Sequence, residues 1–293
     1  MIRLLTQHDR DVAQSYLNRD PLDNIYLIHS LQTYGLDSED ATFWGAFEDD
    51  RLKGVLFFND RFGCLVGDDP TALSHLGGLA FQSGVKTMRG EDAHIQPAIK
   101  DLLHQTQVQV ERMLFETVRP EQLVPFYDYP VRIADRDDIS LLVKLYFNSE
   151  FYRNYQTEAG LGQRIEMRMD QGVTYFLIES EGQAISAARI LPETDQAGMI
   201  SAAMTLPAFR GRGIYPSVRT ACLQHLFEKG KIGVGLVMEN NIRIINVIKK
   251  NGGVLSAGWL QVSFKTKPPS KRRLSLARIR RRVLKSKKGT LRQ

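Results

Sequence analysis

Apolar and polar positions change period repeatedly along the chain, and the changes mark the elements. From Asp9 to Ser30 the apolar residues fall at helical spacing, broken at Asp20-Pro21 and resumed through Asn24, Ile25, Leu27, Ile28 and Leu31. Phe43–Phe47 and Leu52–Phe58 alternate as strands around the turn Glu48-Asp49-Asp50-Arg51. Cys64–Gly67 and Val85–Arg89 add short strands, Leu73–Gln82 and His94–His104 helices, and Met113–Val118 a closing strand. A similar order returns further on: helix Asp138–Phe151, helix Leu161–Met169, strand Thr174–Glu179, turn Ser180–Gly182, strands Ala184–Leu191 and Met199–Leu206, helix Ser217–Phe227. The pattern predicts an α/β (α+β) protein built as two similar halves, 1–119 and 131–267. Leu123–Pro130, with two prolines and two tyrosines, predicts a stiff linker at 120–130.

One turn carries more chemistry than the rest. Pro207-Ala208-Phe209-Arg210-Gly211-Arg212-Gly213-Ile214-Tyr215-Pro216 lies between a strand and a helix. Glycines let a backbone approach a ligand closely, and the free N–H groups of a first helical turn attract anions. Pro216 fits the first helical position, where a missing N–H costs nothing. No Gly-Lys-Ser/Thr follows, which excludes the nucleoside-triphosphate loop, and Pro216 stands where a dinucleotide fingerprint needs its third glycine. Arg-Gly-Arg-Gly by itself also reads as a solvated turn.

A second block lies downstream: Asn240-Asn241-Ile242-Arg243-Ile244-Ile245-Asn246-Val247-Ile248-Lys249-Lys250-Asn251-Gly252-Gly253. Asn241 is a good N-cap and Gly252 a natural helix stop. Together the blocks resemble the GCN5-related N-acetyltransferase (GNAT) superfamily: an arginine or glutamine, two residues, glycine, one residue, then glycine or alanine, followed later by asparagine and a helix ending in lysine, any residue and glycine. The resemblance covers about Val131–Lys265 and implies a mixed, mostly antiparallel sheet flanked by helices. Asp20-Pro21-Leu22-Asp23-Asn24 with Gly35-Leu36 looks like the N-terminal half of two-domain members. That half lacks the Arg-x-x-Gly-x-Gly turn, which implies a lost phosphate site and a supporting role.

The resemblance also implies a ligand and a reaction. Gly211, Arg212, Gly213, Ile214, Tyr215, Pro216 and Ser217 would hold the pyrophosphate of acetyl-CoA, with Arg210 and Arg212 adding positive field. Main-chain groups of Met204, Thr205 and Leu206 would pair with the pantetheine arm and supply an oxyanion amide, and Asn241 would mark the second block. The implied activity is acetyl transfer to a primary amine of an unidentified acceptor. The alternatives are a non-catalytic acyl-CoA sensor or scaffold and an aminoacyl-tRNA-dependent transferase of the same fold. The chain departs from the family where many members carry a tyrosine acid, here Ile248, and Met199–Thr205 holds no carboxylate base. Tyr215, Glu239 or water would have to substitute. A solvated strand end is the plainer reading of Glu239.

Charge and cysteines refine the picture. Thirteen Lys and Arg and no acids lie from Lys265 to Gln293, which leaves 26 basic against 33 acidic residues in the rest of the chain. Pro268-Pro269-Ser270 sets the tail, 268–293, apart, and such blocks are commonly disordered arms. Leu276, Ile279 and Val283 share a face if the tail is helical. The tail therefore suits nucleic acid, an anionic membrane surface or acidic protein, or solubility alone; lacking aromatics, it offers no base stacking. Cys64 and Cys222 stand in different halves without metal spacing, so buried thiols and a cytoplasmic location are expected. The six histidines show no ligand pattern, so no metal is expected. Neither a signal peptide nor a membrane-length apolar run is read in the sequence.

Overall fold

Hairpins set the register of both halves. Asp49 and Asp50, with φ of 46° and 59°, join strands Thr42–Glu48 and Arg51–Phe58. Glu181 and Gly182, with φ of 52° and 74°, join Tyr175–Ser180 and Gln183–Glu193. Two positive φ angles in a row make the turn whose twist matches the flanking strands. The computed structural model describes residues 1–59, 62–104, 107–149 and 157–265. The basic tail and the end of the predicted helix Asp138–Phe151 lie outside the described residues.

The first repeat runs β1 (Ile2–Leu4), α1 (Arg10–Leu17), α2 (Ile25–Tyr34), β2 (Thr42–Glu48), β3 (Arg51–Phe58), β4 (Phe62–Gly67), α3 (Pro70–Gln82), β5 (Thr87–Glu91), α4 (Asp92–Lys100) and β6 (Val108–Val118). The second repeats that order: β7 (Arg132–Ile133), α5 (Ile139–Phe147), α6 (Glu158–Asp170), β8 (Tyr175–Ser180), β9 (Gln183–Glu193), β10 (Ala197–Thr205), α7 (Ile214–Glu228), β11 (Ile232–Met238), α8 (Ile242–Lys250) and β12 (Val254–Phe264). Of the pairings whose register is described, all are antiparallel except β4 with β5 and β10 with β11.

The compact units do not follow the repeats to their ends. One unit comprises Met1–Met113 and the segment from Ala257; the other is Leu114–Ser256. In the first unit the strands run β1-β2-β3-β4-β5-β12, and Trp259–Ser263 of β12 pairs antiparallel with Thr87–Glu91. In the second they run β6-β11-β10-β9-β8-β7. The sixth strand of each repeat thus completes the other unit's sheet. Linear boundaries at 119, 131 and 267 divide the chain differently, because periodicity finds a strand and not its pairing partner.

In the first unit Leu5, Leu17, Leu27, Leu31, Phe43 and Phe57 fill one side of the sheet, and Leu56, Leu65, Leu76, Ile95, Leu260 and Val262 the other. The start of α3 carries its own cap. Asp69 caps its own helix, its carboxylate accepting from the Ala72 N–H at 2.6 Å.

A half-buried acid in this unit gives a pH test. Burial pushes the Asp23 carboxyl up to about 6, reinforced by Asp20 and Glu91, while the Trp259 Nε1–H donates to it at 3.3 Å and pulls the other way. A folded pKa above the unfolded one means that folding favours the protonated acid. That contribution is complete below the ordinary aspartate range and is lost as pH rises through about 6. Asp23→Asn keeps an acceptor for Trp259 and removes the titration. It is expected to stabilise the protein at pH 7.5 by about 1 kcal/mol, after discounting for solvent screening, and by nothing measurable at pH 4. Urea unfolding at the two pH values checks the difference.

Candidate coenzyme site

The second unit's sheet opens where its parallel strands end. β10 and β11 pair only over Ala197–Met199 and Ile232–Val234, yet β10 continues to Thr205 and β11 to Met238. On its other side β10 stays paired with β9 as far as Thr205 opposite Ser186. Among the described residues, the far half of β10 therefore has no strand partner on its β11 side. Ligands of open α/β sheets bind at such carboxyl ends of parallel strands. The register shifts between Ser201 and Met204, and Ala202 within the shift has φ of 51°. A left-handed alanine costs about 1–2 kcal/mol, and such strain gathers at functional sites.

The glycine turn follows directly. After a short 3₁₀ turn at Pro207–Phe209, Gly211 and Gly213 both take positive φ, 79° and 77°. Gly213 is the N-cap of α7 and supplies no side-chain cap, so no carboxylate or hydroxyl at the cap takes up the first-turn amides. Pro216 is the third residue of α7, not the first as expected, because the left-handed Gly213 starts the helix at Ile214. The position still falls among the orphan N–H groups of the first turn, so proline is tolerated. Arg210 and Arg212 are exposed. Arg210 Nε donates to the Thr205 carbonyl at 3.0 Å, and the Arg212 guanidinium lies 5.5 Å from the centre of the Phe209 ring. Neither has a carboxylate within ion-pair distance among the described residues.

The remaining expected residues are placed as follows. The Ser186 hydroxyl donates to the Met204 carbonyl at 3.1 Å and lies 2.9 Å from the Thr205 hydroxyl. The Leu206 N–H is committed to the Ile185 carbonyl at 2.9 Å, which leaves it unable to serve as an oxyanion donor. Ile214 packs in the core with Val218, Cys222 and Leu226. Ser217 is buried, and among the described residues its Oγ has no hydrogen-bond partner. Asn241 caps α8 through the Ile244 N–H at 3.4 Å.

The two candidate proton-transfer groups do not come together at the turn. Tyr215 faces inward beside Arg219, and burial pushes its hydroxyl up to about 12. Glu239 is exposed in the turn after β11. Ile248, at the family's usual acid position, is buried with Val237 and Ile245.

Two features here were not readable from sequence. One is a buried ion pair between Arg219 of α7 and Glu116 of β6, with the carboxylate oxygens facing Nη1 at 3.2 Å and Nη2 closer. Burial pushes the Glu116 carboxyl up, although Arg219 opposes the shift. The other is the course of the linker. The Phe126 N–H donates to Thr220 Oγ1 at 3.0 Å, Gln224 Nε2 to the Tyr127 hydroxyl at 2.6 Å, and the Tyr129 hydroxyl to the Arg212 carbonyl at 2.9 Å. Asn251 Nδ2 holds the Val124 carbonyl at 2.6 Å, and a Cβ on Gly252 would fall 1.7 Å from the Gln122 carbonyl oxygen, so only glycine fits. The segment is bonded along α7 and the end of α8.

Residues 140–252 match the Acetyltransferase (GNAT) family. The match covers 113 of the 293 residues and lies within the second unit. The match begins at α5 and ends at Gly252, so it includes the open strands, the glycine turn and α8. No curated protein matches the chain. Among solved structures, a GNAT-family acetyltransferase from Colwellia psychrerythraea is 16% identical, with 90% of this chain and 100% of that one covered and a TM-score of 0.60. A tandem GNAT protein from the clavulanic acid biosynthesis pathway is 11% identical, with 92% and 99% covered and a TM-score of 0.60. A GCN5-related N-acetyltransferase from Sphaerobacter thermophilus is 12% identical, with 90% and 95% covered and a TM-score of 0.61. These likenesses extend over both halves and establish the fold: a mostly antiparallel sheet flanked by helices, tandem GNAT proteins among its neighbours. Among the described residues no three His, Cys, Asp or Glu side chains gather as a metal site, and no helix is long and apolar enough to cross a membrane.

Proposed function

We propose that the second unit transfers an acetyl group from acetyl-CoA to a primary amine. The observation that carries this reading is the opening between β10 and β11 with the uncapped, doubly left-handed Arg210–Gly213 turn at its end. Gly211–Ser217 would cradle the pyrophosphate, and the partnerless edge of β10 would take the amide-bearing pantetheine arm. The amine nitrogen attacks the thioester carbon, the C–N bond forms, and the tetrahedral oxyanion collapses with loss of the C–S bond. The thiolate takes up a proton and leaves as free coenzyme. The main-chain amide of Thr205, which alternation turns away from β9, is the candidate oxyanion donor.

Orientation and oxyanion stabilisation do the chemistry in this reading. Acid–base help contributes about 10²–10⁴ in rate where it is present, and water relays the proton here. One set of observations favours a second reading, a non-catalytic acyl-CoA sensor: Tyr215 is turned onto Arg219, Glu239 is in solvent, and Ile248 stands at the acid position.

Acetyl-CoA at about a hundred times its dissociation constant should stabilise the fold by about 2.7 kcal/mol, a rise of several degrees in the melting temperature. Free thiol should then appear with a suitable amine. No stabilisation by acetyl-CoA or free CoA overturns both readings. Stabilisation without thiol release across a broad amine panel favours the sensor.

A further inference from the structure

The linker is fixed against the loop that would hold the coenzyme, and two of its residues stand beside that loop with opposite consequences. The Tyr129 hydroxyl donates to the Arg212 carbonyl at 2.9 Å. That peptide is trans, since the one cis bond among the described residues is Leu191–Pro192. In a planar trans peptide the C=O and the following N–H point in opposite directions. Anchoring the Arg212 carbonyl toward the linker therefore fixes the Gly213 N–H to point away from it, as a preset donor of the turn. Gly213 needs this help, because left-handed glycine has little conformational preference of its own. Asp128 has the contrary effect. A β-carbon built on Gly213 would lie 4.0 Å from the Asp128 carboxylate, so a negative charge stands beside the N-terminus of α7.

We propose that Tyr129 and Asp128 are part of the coenzyme site, Tyr129 as a positioning residue for the Gly213 amide and Asp128 as a charge that restrains affinity for the diphosphate. The inference rests on the coenzyme reading above and adds specificity to it. The arginine-rich turn alone would favour any polyphosphate. The carboxylate beside it makes occupancy depend on contacts elsewhere along the ligand, which a nucleotide-linked thiol offers and inorganic pyrophosphate does not.

Calorimetric titration of the full chain with free CoA tests both residues. Tyr129→Phe, which removes one hydrogen bond, is expected to weaken binding about fivefold. Asp128→Asn is expected to strengthen it about threefold at low salt, the gain shrinking as salt screens the charge, and Asp128→Glu should keep wild-type affinity. Inorganic pyrophosphate should respond as CoA does. Pantetheine, which lacks the diphosphate, should respond to neither substitution. Local damage to the fold would weaken every ligand in both variants and cannot produce the gain. Wild-type binding of CoA with no gain in Asp128→Asn, or no loss in Tyr129→Phe, overturns this proposal alone. Absence of CoA binding by the wild type overturns it together with the coenzyme reading.

Discussion

Replacing Glu116 by alanine is expected to destabilise the second unit by about 3–5 kcal/mol, with a fall in melting temperature of about 10 °C. Glu116 and Arg219 are 2% and 1% exposed, and the guanidinium has no other carboxylate within ion-pair distance among the described residues. Among the described residues Arg219 Nε has no hydrogen-bond partner even in the intact pair. The surroundings are shaped around the carboxylate. A Cβ on Gly235 would come within 2.6 Å of one carboxylate oxygen, and one on Gly253 within 2.7 Å of the other. Truncation removes the counter-charge and leaves a permanently protonated guanidinium in a buried site, faced by the Tyr215 hydroxyl and by no other carboxylate among the described residues. Exchanging both partners, Glu116→Met with Arg219→Met, removes the charge altogether and should recover most of the loss. A single-variant cost below about 1 kcal/mol in urea unfolding, or a double variant no better than the single, would mean that water reaches the guanidinium.

The same pair shows what a linear reading reaches. Strands Phe43–Phe47, Leu52–Phe58 and Ala184–Leu191 were legible as short apolar runs bounded by turn residues, and both faces of each are buried. The helix of Asn241–Gly253 was legible because its cap and stop are local. Glu116 and Arg219 are 103 residues apart, and each looks like an ordinary surface charge in its own window. β12 carries no local signal for its partner: Trp259–Ser263 returns across the whole chain to Thr87–Glu91. The glycine turn was legible as a motif, but its geometry was not. The left-handed Gly213 moves the helix start to Ile214, and the tyrosines of the presumed spacer bond to α7 and the loop. Tyr215 reads as a reactive phenol at the turn, yet at the second position of α7 it faces the Arg219 side, which only the packing shows. Local chemistry is written in short windows, whereas orientation depends on what packs behind them.

Gly213→Asp is expected to reduce affinity for CoA about a hundredfold while changing stability little. At φ of 77° an aspartate pays about 1 kcal/mol of backbone strain. Its carboxylate would partly offset that by accepting from the first-turn amides of α7, as N-cap aspartates do. The same hydrogen bonds would then be unavailable to a diphosphate. Charge-assisted hydrogen bonds contribute about 1.5–3 kcal/mol, and the new carboxylate would also stand close to Asp128 and repel an anion with it. Gly213→Ala separates strain from charge: it adds no carboxylate and should cost less than about tenfold. Asp69 shows such a cap at the start of α3, accepting from the Ala72 N–H at 2.6 Å from an extended backbone at φ of −130°, whereas Gly213 is left-handed. Titration with CoA checks the loss; an affinity equal to wild type would mean that the pyrophosphate binds elsewhere.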